Sequence, residues 1–190
     1  SPSGRGYRGE ELTVEDPDWY YTWKRLNSAG IRVIGGEPPG GSSPLPRIEM
    51  KHPDKTAKGS RGSRKCDLYA VHDGTLLLIE AKDSHSKVQG DVDKMVDIID
   101  DPNWAGALWD AMDERRLATR NGFHDRAAFV RDRTQLIAPV LAIPPEPGFK
   151  PPEGHLLIET DEVRTTIRTG RSDSSMDLQY ALSEYLESRN

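Results

Sequence analysis

Apolar residues recur along this chain with two periods, and the shorter one is the more telling. Two apolar runs, residues 68–71 and 76–79, flank Asp73-Gly74. That dipeptide tolerates the positive φ angles of a two-residue type I′ turn, so residues 66–82 read as a β-hairpin. Leu68, Ala70, Leu77, Ile79 and Ala81 fall on one face, and Tyr69, Val71, Leu76 and Leu78 on the other. Two apolar faces predict a central sheet region covered on both sides.

Helical spacing dominates elsewhere. Asp16 can cap and Pro17 can open a helix over residues 16–29, with Trp19, Trp23 and Leu26 as its stripe and Gly30 at its end. After the hairpin, Ser84 or Ser86 can cap a helix reaching Ile99, striped by Val88, Val92, Met95, Val96 and Ile99. Asp101-Pro102 stops it. Trp104, Ala107, Leu108, Ala111 and Met112 propose another helix, residues 125–133 a third, and residues 174–188 a last amphipathic one. Residues 31–34, 47–50, 135–143 and 155–159 read as strands. Pro139 predicts a bulge or an edge position for the third of these. The order of helices and strands describes an α/β fold, a mixed central sheet flanked by helices, in a single domain over residues 1–190. Residues 1–12 are expected to be flexible, and the missing initiator Met allows a piece excised from a larger protein.

The hairpin register makes a chemical statement. With Asp73 and Gly74 as the turn, His72 pairs with Thr75, and counting outward sets Asp67 opposite Glu80, roughly 5 Å apart. Lys82 shares their face because strand side chains alternate. Like charges facing each other destabilise a sheet, so a compensating charge is expected, most simply a bound cation.

Charge and composition narrow the setting. The net charge is −5 with a mean hydropathy of −0.70, a soluble composition without any apolar run of membrane-spanning length. A lone cysteine, Cys66, excludes an internal disulfide framework and fits a reducing, cytoplasmic location. Alternation turns Cys66 to the strand face opposite Asp67, as a buried structural thiol. Between Arg47 and Lys65 lie seven basic residues against two acids. A basic loop over residues 51–64, with Arg61, Arg64 and Lys65 leading into Asp67, can track phosphates or be a solvated surface loop. The five histidines lack paired zinc-ligand spacing, and neither a Walker loop nor a nucleophile elbow is present.

Asp67, twelve intervening residues and then Glu80-Ala81-Lys82 behind an apolar strand resemble the core motif of the PD-(D/E)XK, or restriction-endonuclease-like, nuclease superfamily. The layout agrees over residues 16–145: a leading helix, a meander carrying the acids, a helix after the lysine and further strands. Cys66 stands where the family commonly has proline. The resemblance implies a metal-dependent DNA endonuclease of bacterial defence, restriction or DNA processing. Asp67, Glu80 and the Ala81 carbonyl would hold Mg²⁺, for which Mn²⁺ can substitute, and Lys82 would serve the attacking water. An accessory acid is expected on the first helix, with Glu10, Glu11 and Glu15 as candidates. Gln89 resembles a substrate-contacting glutamine of several branches, against the reading of an ordinary exposed helix residue. DNA is the expected partner, with RNA an option and a homodimer or larger parent protein compatible. The alternatives are a structural ion triad, a catalytically inactive nucleic-acid- or protein-binding module on the same fold, and an RNA-cleaving toxin domain.

Overall fold

A computed structural model describes residues 17–38, 44–54, 62–82, 88–144, 146–149, 155–160 and 165–169. Glu10, Glu11, Glu15, Arg61, both proposed serine caps, and the helix expected over 174–188 lie outside the described residues. The elements run α1 (Pro17–Ser28), β1 (Arg32–Gly36), β2 (Met50–Lys51), β3 (Ser63–Arg64), β4 (Leu68–His72), β5 (Thr75–Ala81), α2 (Val88–Asp100) and α3 (Pro102–Asp113). Three short helices follow, α4 (Leu117–Arg120), α5 (Arg126–Arg131) and α6 (Arg133–Leu136), and then β6 (Ile137–Ile143), β7 (Leu156–Thr160) and β8 (Thr165–Thr169). Six strands form one mixed sheet in the order β1-β4-β5-β6-β7-β8, and β2 pairs with β3 in a separate two-stranded ribbon.

The hairpin has the predicted turn. Asp73 and Gly74 take φ angles of 47° and 81°, the I′ signature. The β4–β5 ladder runs outward from His72↔Thr75 to Leu68↔Ile79. Because a one-residue slip would turn every side chain to the other face, this register also sorts the two cores. Leu68, Ala70, Leu77, Ile79 and Ala81 pack with Trp19 and Leu26 of α1. Tyr69, Val71, Leu76 and Leu78 pack with Val92, Met95 and Ile98 of α2 and with α3 and α5.

Gly30, at φ 81°, ends α1 where a left-handed residue is wanted. Asp101-Pro102 does two jobs. It follows the last residue of α2, and the Asp101 carboxylate caps α3 by accepting the Asn103 N–H at 2.9 Å. The last turn of α2 has no basic residue of its own. Arg133 supplies that charge from α6, donating to the Ile99 carbonyl at 2.7 Å and to the Asp100 carbonyl at 3.0 Å.

Two expectations are corrected, and one strand forms where none is expected. Pro139 is neither bulged nor at an edge: β6 lies inside the sheet, parallel to both neighbours, with Pro139 opposite Leu78 in an unbroken register. The Ala142 carbonyl points to β5, where it accepts the Lys82 N–H. By alternation the nitrogen of residue 139 therefore faces β7, whose ladder begins one residue later, at Val140↔Leu156. A missing donor costs nothing there. Val96, placed in the apolar stripe of α2, is 38% exposed, and Ile98 takes the buried position. β8 comes from a Thr/Arg run that carries no apolar alternation.

The end of β1 presses on the start of β4. A Cβ at Gly36 would lie 2.6 Å from the Asp67 carbonyl oxygen. Gly36→Ala is expected to cost about 1–3 kcal/mol of stability, read as a lower urea midpoint at unchanged slope. A midpoint equal to that of the parent chain would show that the strands can part without loss.

Candidate functional site

At the open end of the hairpin the backbone ladder gives way to side chains. The last paired residues are Leu68 and Ile79. One step further, the Asp67 N–H donates to Glu80 Oε2 at 2.8 Å, and the Ala81 N–H donates to Asp67 Oδ2 at 2.9 Å. Each carboxylate thus satisfies a backbone donor of the opposite strand. This exchange lets two acids stand face to face at the position the turn register dictates, and hydrogen bonds to charged acceptors are the stronger kind.

Asp67 sits in a bend held from three sides. Its carbonyl accepts the Trp19 indole N–H at 2.8 Å and the Glu37 N–H at 3.1 Å. The preceding residue is pinned by Tyr69, whose hydroxyl accepts the Cys66 N–H at 2.8 Å and donates to the Ile48 carbonyl at 3.1 Å. Cys66 is a free, buried thiol. It belongs to the core on the α2 side, together with Tyr69, not to the opposite face that simple alternation predicts. The chain has left the ladder at Asp67, so the period of two no longer applies.

Lys82 follows β5, and its Nζ lies 3.2 Å from Asp91 Oδ2 on the first turn of α2. A second lysine closes the cluster. Lys94 Nζ donates to Glu80 Oε1 and, at 2.8 Å, to the Lys65 carbonyl. Neither Asp91 nor Lys94 was among the expected site residues. A signal existed: residue 91 falls on the 88–91–92–95 stripe of α2, where an apolar residue is the norm. A charge in that place points to a buried partner.

The electrostatics follow from burial. Glu80 is 2% exposed. Burial, then the neighbouring Asp67, push its carboxyl up to about 8, with Lys94 opposing and Asp91 adding to the rise. Asp67 is raised as well: burial outweighs the Ala81 N–H, Lys94 and Lys82, all of which favour the anion. Burial pulls Lys82 down, but the Asp91 ion pair, with Asp67 and Glu80 behind it, leaves its pKa raised overall. Lys94 is likewise raised, desolvation being overcome by Cys66, Glu80 and Asp91. Burial drives the Cys66 thiol well above its usual range, which makes it a poor nucleophile at neutral pH.

The remaining candidates have other partners. Arg64 stacks over the Trp104 ring at 4.3 Å and pairs with Asp97 at 3.3 Å. Lys65 lies 3.4 Å from Glu37, which Arg47 also approaches, at 3.0 Å. Gln89 is exposed and donates to Asp93 at 2.9 Å. A groove of about 760 Å³ between β2 and α3 is lined by Glu49, His52, Asn103, Asp110 and Arg126, away from the acid–lysine cluster. Among the described residues no three His, Cys, Asp or Glu side chains come together closely enough to hold a metal ion by themselves. No described helix is long and apolar enough to cross a membrane. No protein-family model, curated protein or solved structure matches the chain.

The raised Glu80 carboxyl has a consequence for stability. Its ordinary value is 4.5 and its folded value about 8. Between those pH values the folded protein binds more protons than the unfolded chain, so stability falls as pH rises through the window. Metal-free protein is expected to lose thermal stability from pH 5 towards pH 8, and Glu80→Gln to flatten that decline. An identical pH slope in Glu80→Gln would assign it to other groups.

Proposed function

We propose that this chain is a metal-dependent endonuclease that hydrolyses phosphodiester bonds in DNA, built on a restriction-endonuclease-like core and serving bacterial defence, restriction or DNA processing. The observation that carries the reading is the reciprocal Asp67–Glu80 pair at the end of the hairpin, with Lys82 following on the strand that bears Glu80. The surrounding order supports it: a leading helix, an antiparallel β1-β4-β5 meander, helices after Lys82 and further strands.

The donors fit a divalent cation. Desolvation raises the carboxyl pKa of buried Glu80 and of half-buried Asp67 although two lysines stand near them. Two carboxylates suffice for Mg²⁺, which keeps several waters and shares the substrate's phosphate oxygens. Asp67 and Glu80 would hold the ion, with the Ala81 carbonyl beside them: the Ala81 N–H points to Asp67, and in an extended strand the carbonyl of a residue points the same way as its N–H. When bound, such an ion supplies an acidified water and charge stabilisation at the phosphate.

The protein's own residues do the positioning. The Asp67 and Glu80 carboxylates are oriented by the backbone donors of the opposite strand before any ligand arrives. Lys82 keeps its proton, because Asp91 holds its pKa up. It therefore acts as a fixed positive charge that orients water and neutralises phosphate, rather than as the base. Lys65, on the approach to the site, is a candidate phosphate contact if Glu37 releases it.

A second reading, an inactive binding module on the same fold, draws on one observation: both Glu80 oxygens already accept a hydrogen bond within the protein. Cleavage of plasmid DNA separates the two. Mg²⁺-dependent nicking is expected, with Asp67→Ala and Lys82→Met each reducing it by at least about 10²-fold while circular dichroism stays unchanged. Full cleavage by both variants would remove the assignment. Salt-sensitive DNA binding without turnover would favour the binding module.

A further inference from the structure

Lys94 is the part of this cluster that the nuclease reading leaves unused. It stands on the α2 face towards the hairpin, is half-buried, and reaches two fixed acceptors, Glu80 Oε1 and the Lys65 carbonyl. The attachment runs both ways, since Arg64 Nη1 donates to the Lys94 carbonyl at 3.4 Å and Arg64 Nη2 pairs with Asp97 one turn on. The ammonium is thus held in place by the residues that lead into Asp67 and is not a mobile surface charge. A lysine with only a carboxylate partner could swing away; one that also satisfies a backbone carbonyl loses that bond when it moves.

We propose that Lys94 is a resident counter-cation of the Asp67–Glu80 pair, a positioning residue that competes with a divalent ion for Glu80 and keeps the metal affinity of the site low. The proposal rests on the nuclease reading for the identity of the competing ion. The physical argument is substitution of like for like. An ammonium and a divalent cation both answer the same need, positive charge beside buried Glu80 and half-buried Asp67, and Glu80 Oε1 already carries one of them. A divalent ion drawn to Glu80 meets the repulsion of a charge that cannot leave cheaply. With Lys94 neutralised, the same carboxylates are left uncompensated and should bind such an ion more tightly, at the expense of stability in its absence.

The test measures binding and stability, not turnover. Calcium, which occupies carboxylate sites without requiring a reaction, is titrated calorimetrically into the full chain carrying Lys94→Met, Lys94→Arg or no substitution, and melting is recorded with and without it. Lys94→Met is expected to bind Ca²⁺ about tenfold more tightly, to melt lower than the parent chain without metal, and to recover on adding Ca²⁺. Lys94→Arg, which keeps the charge, is expected to stay near the parent affinity. Unchanged or weaker binding in Lys94→Met overturns the proposal. Should Lys94→Met fold only with millimolar Ca²⁺ present, the proposal is supported. If neither it nor Lys94→Gln folds with Ca²⁺, a divalent ion does not replace the ammonium and the proposal fails. The outcomes are separable from the nuclease reading: a parent chain that cleaves DNA with Mg²⁺ beside a Lys94→Met variant of unchanged affinity sinks only the Lys94 inference. A parent chain without cleavage, beside tightened Ca²⁺ binding, sinks only the nuclease.

Discussion

Two hydrogen bonds exchanged across the mouth of one hairpin organise this molecule: Asp67 N–H to Glu80, and Ala81 N–H to Asp67. Where a sheet ends, backbone donors are normally left to water. Here carboxylates take them, and so two acids, Glu80 buried and Asp67 half-buried, face each other where charge alone would keep them apart. Everything near the site serves that arrangement. Trp19 and the Glu37 N–H grip the Asp67 carbonyl, Tyr69 holds the residue before it, and Gly36 is bare because a side chain would strike the same carbonyl.

The two faces of the sheet divide the work. The face under α1 is apolar at its centre, with Leu68, Leu77, Ile79 and Val140 packed on Trp19 and Leu26. The face under α2 is equally apolar along most of its length, but its rim carries Glu80 and, from α2, Asp91 and Lys94. These ionisable groups gather at one end because β4 begins and β5 finishes there. β5 is also anchored on its far side, its ladder to β6 extending as far as the Lys82 N–H. The residues that bring the charges are thus fixed by apolar packing a few residues away. A site built on strands in this manner is held more rigidly than one hung on loops.

The hairpin was legible in the sequence for a specific reason. Asp73-Gly74 admits positive φ, a two-residue turn admits one register, and one register fixes every cross-strand pair down to Asp67 and Glu80. The assignment of Leu68 and Tyr69 to opposite cores followed from the same count. Local pattern misleads where tertiary context overrides it. Cys66 changed faces because the strand period stops at the Asp67 bend. Pro139 lies inside the sheet because its nitrogen faces β7 before that ladder begins, which no reading of β6 alone can reveal. Asp91 and Lys94 are not legible as partners because they belong to a helix whose rotation about the hairpin is decided by packing. Val96 was the counterpart of that error: the stripe of α2 is centred on Val92, Met95 and Ile98, one position away from Val96, and the same rotation turns Asp91 and Lys94 inward.

A charge count explains why these side chains interact so strongly. Asp67, Glu80 and Asp91 face Lys82 and Lys94, three acids against two bases, so the cluster carries one negative charge when every group is ionised. Around buried Glu80 that imbalance is only partly screened by solvent. Lys82 is taken up by Asp91, Lys94 by Glu80, and Asp67 is the acid without a lysine of its own, stabilised as an anion by the Ala81 N–H, by the more distant pull of both lysines and by Glu80 beside it. The deficit therefore falls on the Asp67–Glu80 pair. A proton on Glu80 answers it at the low end of the pH range, and an added cation answers it at the high end. The reciprocal hydrogen bonds that hold the two acids together thus leave them one positive charge short when every group is ionised.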